Sequence, residues 1–231
     1  MTNVVITGAN RGLGLALTKL YLAHGATVIG GCRNPAAADQ LRGSGAEVHT
    51  LDTGSGESIA SFAAQIGERP VDLLFNNAGI DARAVGADEA ARSALDLTEA
   101  QFRSVMDVNV IGPFLLVKAL AANLGAVAGK VVNVSSQVGS IEVAHRIGSD
   151  ASYTTSKAAL NMLSLKQSQA LRPAGVTVIA LHPGWVRSDM GGPRATLEPA
   201  DAAASIAGMV DHLTIEHTGS FLQWDGTIHP W

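Results

Sequence analysis

Across 231 residues there is a single cysteine, Cys32. No internal disulfide can form, and a reducing compartment, the cytoplasm, is the expected location. Cys32 itself reads as a passive strand-end residue, since nothing marks it as a nucleophile. Charge is also sparse. Only 16% of residues are charged, the net charge is −4, and no basic run occurs, so neither nucleic acid nor an anionic membrane is an expected partner. Long hydrophobic runs are missing: the stretch from Ile111 to Gly129 is interrupted by Pro113, Lys118 and Asn123, so no membrane span is expected. The first apolar run begins at Val4, and no signal sequence is expected. The seven histidines include no His-x-x-x-His pair and have no cysteine partners, so no metal site is expected. A G-x-S-x-G elbow and a lysine P-loop are both absent.

What is present is a regular alternation of short apolar runs with helical periodicity. Apolar residues make up 47% of the chain, enough for one sizeable core and one domain over residues 1–231. Strands are expected at Val4–Ile6, Ala26–Gly31, Glu47–Leu51, Val71–Phe75, Lys130–Val134, Gly175–Leu181 and Gly219–Gln223. The intervening helices are expected over Leu15–His24, Ser58–Ile66, Asp88–Asp96, Thr98 to about Val127, the Tyr153 segment to about Arg172, and Pro199–Leu213. Gly112-Pro113 should bend the long one. Strand–helix alternation implies parallel pairing with right-handed crossovers: a three-layer, doubly wound α/β fold with a seven-stranded, mostly parallel sheet.

The first strand runs into Thr7-Gly8-Ala9-Asn10-Arg11-Gly12-Leu13-Gly14 and then a helix. Glycines let backbone approach a pyrophosphate, and the helix N-terminus offers it free N–H groups. The spacing G-x-x-x-G-x-G departs from the commoner G-x-G-x-x-G, and a tight turn without ligand is the alternative. The second strand ends in Cys32-Arg33 with no acidic residue to hold a ribose 2′-hydroxyl. Arg33, with Arg11 in the glycine turn, favours the 2′-phosphate of NADP(H) over NAD(H). Asp52, after the third strand, is placed to meet an adenine. Asn76-Asn77-Ala78-Gly79 ends the fourth strand, where small and amide residues can tie neighbouring strands and line a crevice.

Tyr153 and Lys157 stand four apart at the start of a helix and so share a face. Alone they read as two surface neighbours. As a chemical pair, the ammonium would favour the phenolate and draw the tyrosine pKa from about 10 towards neutrality, where an acid/base works best.

Taken in order, Thr7 to Gly14, Asn76-Asn77-Ala78-Gly79, Asn109, Ser136, Tyr153-x-x-x-Lys157 and Pro183-Gly184 resemble the short-chain dehydrogenase/reductase family over essentially the whole chain. Within it, Thr-Gly-Ala-Asn-Arg-Gly, the long interval from Ser136 to Tyr153 and the ending Asp225-Gly226…Pro230-Trp231 resemble the carbonyl-reductase and C-factor (sniffer) branch. The resemblance implies an NADP(H)-dependent reduction of an aldehyde or ketone to an alcohol, or the reverse. Tyr153 would be the general acid and Ser136 (Ser135 as the alternative) a donor to the carbonyl. Lys157 would bind the nicotinamide ribose, and Asn109 would hold a relaying water. Coenzyme contacts would come from Gly8, Asn10, Arg11, Gly12, Leu13, Gly14, Arg33, Leu51, Asp52, Asn77, Ala78, Gly79, Tyr153, Lys157, Pro183, Gly184, Val186 and Ser188. A homodimer or homotetramer is implied. The family's usual threonine after Pro-Gly is Ser188 here, and the lid that follows, Asp189 to Leu197, is short. Ile141, Val143, His145, Arg146 and Ile147 are expected to form a loop beside the substrate. Trp185, Trp224 and Trp231 read as packing residues. Two other readings stay open: a nucleotide-binding sensor or signalling protein without turnover, and an epimerase or dehydratase on the same cofactor fold.

Overall fold

The computed structural model describes residues 2–88, 91–145 and 150–231. In chain order the elements are β1 (Asn3–Thr7), α1 (Gly12–Ala23), β2 (Thr27–Cys32), α2 (Asp39–Arg42), β3 (Glu47–Thr50), α3 (Gly56–Ile66) and β4 (Leu73–Asn76). There follow α4 (Glu99–Met106), α5 (Gly112–Ala119), α6 (Ala121–Gly125), β5 (Lys130–Val134), α7 (Ile141–Ala144), α8 (Ala151–Leu171), β6 (Thr177–His182), α9 (Pro199–Asp211) and β7 (Phe221–Gln223). The seven strands form one sheet in the order β3-β2-β1-β4-β5-β6-β7, and every strand pair is parallel. The order reverses between β1 and β4, which leaves a crevice at the carboxyl ends of those strands.

Alternate residues of β1 feed two cores. Val4 and Ile6 pack with Leu17 of α1 and Ile206 of α9 on one face, while Val5 packs with Phe62 of α3 and Leu116 of α5 on the other. The helices begin where local chemistry permits. Ser55 caps α3 through its side chain, Thr98 and Gln101 form a reciprocal capping box on α4, and the Asp150 carboxylate accepts the Tyr153 N–H at the start of α8. No helix among the described residues is long and apolar enough to cross a membrane.

Three expectations need correction. The segment Asp88–Asp96 does not run as one helix through its described part: Ala91 is 3-10 helical with its N–H on the Asp88 carbonyl at 3.0 Å, and residues 94–96 form a turn in which the Ser93 hydroxyl accepts the Leu95 N–H at 3.2 Å. The long helix from Thr98 does not simply bend at Gly112-Pro113. It widens into a π-helical turn over Asp107–Ile111 before α5, because Pro113 has no N–H to return to the Asn109 carbonyl four residues back. The apolar periodicity of α8 does not mark its buried face either. That face is Ser152, Ser156, Lys157, Leu160, Asn161, Ser164, Gln167 and Ser168, and Met162 is exposed.

The polar face of α8 is satisfied by a buried network. Asn76 Nδ2 donates to Asn133 Oδ1 (2.7 Å), and Asn133 Nδ2 donates to Ser164 Oγ and Gln167 Oε1 (both 2.9 Å). Four side chains thus bind β4, β5 and α8 together with their hydrogen-bonding capacity used internally.

Candidate active site

At the crevice, β1 and β4 are joined through one hydroxyl. Thr7 Oγ1 accepts the N–H groups of Asn77 (3.0 Å) and Ala78 (2.8 Å), and Asn77 Nδ2 donates to the Thr7 carbonyl at 2.8 Å. The glycine turn lies directly against this junction. Gly8 and Gly12 hold left-handed φ values of 64° and 53°, which a side chain resists. A Cβ on Gly14 would run into the Gly8 carbonyl oxygen and the Asn77 amide. The helix behind it, α1, opens at Gly12 with no side-chain cap and no acidic residue in its first turn, so its terminal N–H groups meet no carboxylate of their own and suit an anion. The cradle therefore fits a dinucleotide pyrophosphate.

Around it stand the other expected binding residues. Leu51 is buried and its N–H reaches the Cys32 carbonyl at 2.9 Å, which brings the ends of β2 and β3 side by side. Asp52 follows in a turn closed by Gly54 N–H on Oδ1 (2.9 Å). Arg33 stands exposed just beyond β2. Pro183 and Gly184 follow β6, with Gly184 at φ 82° against Trp224. Val186 is buried and bridges to Leu197. Ser188 faces the glycine turn, its Cβ 3.4 Å from where a Cβ on Gly12 would lie.

The expected catalytic residues converge on the same edge. The Ser136 hydroxyl hydrogen-bonds the Tyr153 phenol. Ser135 is turned away: its Oγ donates to the Lys157 carbonyl at 3.3 Å. Of the two serines, Ser136 is the one beside the phenol. Lys157, 3% exposed, donates from Nζ to the Val134 carbonyl at 2.8 Å, and its nitrogen lies 5.5 Å from the Tyr153 ring centre. Asn109 is fully buried and pairs both ways with Ile80, giving Nδ2–H to its carbonyl (2.8 Å) and accepting its N–H (2.9 Å). A third bond, from Nδ2 to Ser156 Oγ (2.9 Å), leaves its side-chain amide fully engaged.

The expected acidification of Tyr153 is corrected by this arrangement. Burial pushes the phenol up to about 12, with the Asp81 and Asp150 charges adding to the rise and the Ser136 hydrogen bond opposing it. The Lys157 ammonium donates to the Val134 carbonyl, and its charge does not offset the burial of the phenol; burial lowers Lys157 itself to about 8. At neutral pH the pair is a protonated phenol beside a largely protonated amine. Two hydroxyls side by side can donate to an oxygen on which negative charge develops.

Sequence reading missed Asp150, although an aspartate three residues before Tyr153 carries an N-cap signature. Its Oδ1 accepts the Tyr153 N–H (3.0 Å) and the Ser152 hydroxyl (2.6 Å), and its Oδ2 takes the Ala82 N–H (2.6 Å). No local pattern announced Asp81, which pairs with Arg83, or the contact from Arg83 Nη2 to the Met190 carbonyl at 2.9 Å. Of the expected substrate-side residues, Ile141 is largely exposed on α7, and Arg146 and Ile147 lie outside the described residues. Trp224 packs edge-on against His182, whereas Trp185 and Trp231 are each 46% exposed.

Residues 2–198 match the family model described as short chain dehydrogenase. The C-signal protein of Myxococcus xanthus is 38% identical over 177 residues, spanning 75% of this chain and 100% of that protein. Among solved structures, the NADPH-bound carbonyl reductase from chicken fatty liver superposes with a TM-score of 0.89 at 31% identity, covering 100% of this chain and 99% of the other. The carbonyl reductase Sniffer of D. melanogaster gives 0.90 at 29% identity with both chains covered in full.

Proposed function

The chain belongs to the short-chain dehydrogenase family, and on that premise we propose that it is an NADP(H)-dependent oxidoreductase interconverting an aldehyde or ketone and its alcohol. The observation that carries this reading is the Ser136–Tyr153 hydroxyl pair, seated beside Lys157 at the edge of a glycine cradle. NADPH, when bound, supplies the hydride for the carbonyl carbon. Gly8, Gly12 and Gly14 give its phosphates room at the start of α1, with Asn10 and Leu13 beside them. Arg11 and Arg33 provide guanidinium groups for the 2′-phosphate, and Leu51 and Asp52 border the adenine. Asn77, Ala78, Gly79, Pro183, Gly184, Val186 and Ser188 flank the nicotinamide half.

Ser136 orients the carbonyl by donating to its oxygen. Tyr153, a protonated phenol at neutral pH, gives that oxygen its proton as the bond order falls. Lys157 holds the ribose and carries positive charge towards the phenolate left behind. Asn109, with its side chain occupied, offers its backbone carbonyl to a water that returns a proton through Lys157. The whole chain acts as one domain in the cytoplasm, and exposed Ile111, Phe114 and Met162 support assembly into a homodimer or homotetramer.

Tyr153→Phe tests the reading. In a screen of aldehydes, ketones and diketones, followed by NADPH absorbance, turnover should fall by about 10²–10⁴-fold while NADPH binding persists. Undiminished turnover would remove Tyr153 from the chemistry. A second reading, a nucleotide-binding signalling protein, draws on the likeness to the C-signal protein; there the same variant would leave the biological output intact.

A further inference from the structure

Arg11 is not idle in the glycine turn. It forms an ion pair with Asp189, a residue 178 positions away in sequence, and the two side chains are 64% and 75% exposed. Asp189 sits on a strap that runs from Val186 to its bridge with Leu197, and the strap is pinned from several sides. Trp185 Nε1–H donates to the Gly191 carbonyl (2.9 Å), the Gly191 N–H reaches Ser188 Oγ (3.2 Å), and the Gly192 N–H reaches the Ser188 carbonyl (2.8 Å). On the far side Arg83, anchored on Asp81, donates to the Met190 carbonyl at 2.9 Å. Asp189 is therefore a carboxylate delivered by a fixed strap to one of the two guanidinium groups assigned to the coenzyme.

We propose that Asp189 tunes coenzyme selectivity by competing with the coenzyme 2′-phosphate for Arg11. The inference rests on the reading that Arg11 and Arg33 receive that phosphate. A guanidinium binds a dianionic phosphate more strongly than a single solvated carboxylate, because charge-assisted bidentate bonds scale with the acceptor charge. An exposed ion pair is weak and screened, so Asp189 is displaceable, and the affinity gained through Arg11 is reduced by what the Asp189 pair gives up. NADH has no 2′-phosphate and makes no such exchange. The Asp189 charge thus weighs against NADPH more than against NADH.

Asp189→Asn tests this with little risk to folding, since the side chain is exposed. NADPH and NADH dissociation constants would be measured by fluorescence titration for four proteins: wild type, Asp189→Asn, Arg11→Ala and the double variant. The expected result is that Asp189→Asn raises the NADPH-over-NADH preference about two- to fivefold, the range of an exposed ion pair, and that the gain vanishes in the Arg11→Ala background. An unchanged preference, equal tightening of both coenzymes, or equal weakening of both would overturn the role of Asp189. A wild-type protein that binds NADH more tightly than NADPH would instead overturn the coenzyme reading beneath it.

Discussion

Lys157 carries a desolvation cost for its position. Its ammonium is buried against one carbonyl, with its pKa lowered from 10.5 to about 8 by burial. Between those two values the unfolded chain binds more protons than the folded one, so stability should climb as pH rises from about 8 to about 10.5, and the full penalty is present below pH 8. Lys157→Met is accordingly expected to unfold at higher denaturant concentration at pH 7, by about 1–3 kcal/mol, and to lose the climb. The same variant should abolish turnover. A residue that destabilises the fold where an apolar one would serve is retained for chemistry. Tyr153 makes the complementary case: kept near 12 by burial and by the Asp81 and Asp150 charges, it arrives at each cycle carrying its proton.

α8 shows how an element can be placed by polar contacts. Its inner face would be a poor core face by hydropathy, yet Ser164 and Gln167 meet Asn133, and Asn133 meets Asn76, all within 2.9 Å and all buried. Removing the hub strands its partners without water. Asn133→Leu should cost about 2–4 kcal/mol in urea unfolding. The double variant Asn133→Leu/Gln167→Leu should cost less than the sum of the single changes, because the second substitution removes one of the stranded groups. Additive costs would mean the network is no more than separate pairs. The π-helical turn before α5 has a similarly local origin in Pro113, and it seats Asn109 against Ile80 and Ser156 rather than along a regular helix face.

At the scale of the whole molecule, the lowered pKa of His182 makes the place where β6 and β7 meet the last described residues an expected source of acid sensitivity. His182 is buried between Trp224 and His229, with Nδ1 unpartnered. Burial and the His229 charge lower it to about 4, against a weaker upward pull from Asp225. A histidine depressed on folding is protonated first in the unfolded chain, so its contribution to stability is lost as pH falls from about 6.5 towards 4. His182→Phe should flatten the fall in melting temperature across that window, as read by scanning calorimetry. An unchanged slope would assign the acid sensitivity elsewhere. The cluster also walls the site: Trp224 packs on Gly184, and the Ser140 hydroxyl holds the Trp231 carbonyl at 2.9 Å.

The seven strands and their order along the chain, the parallel sheet, the glycine turn between β1 and α1 and the shared helix face of Tyr153 and Lys157 were legible from the amino-acid string, whereas α2, α7 and the division of the segment from Thr98 were not. Period-2 and period-3.6 hydropathy, left-handed glycines and an i, i+4 spacing are local properties, set by backbone geometry within a few residues. Tertiary structure alone decided that Ser135 turns to the Lys157 carbonyl, that Lys157 donates to the Val134 carbonyl, that α8 buries its polar side, and that Arg11 finds Asp189. Each of these turns on desolvation or on a partner far away in sequence. Both depend on how the elements pack in three dimensions, and neither leaves a periodic trace in one.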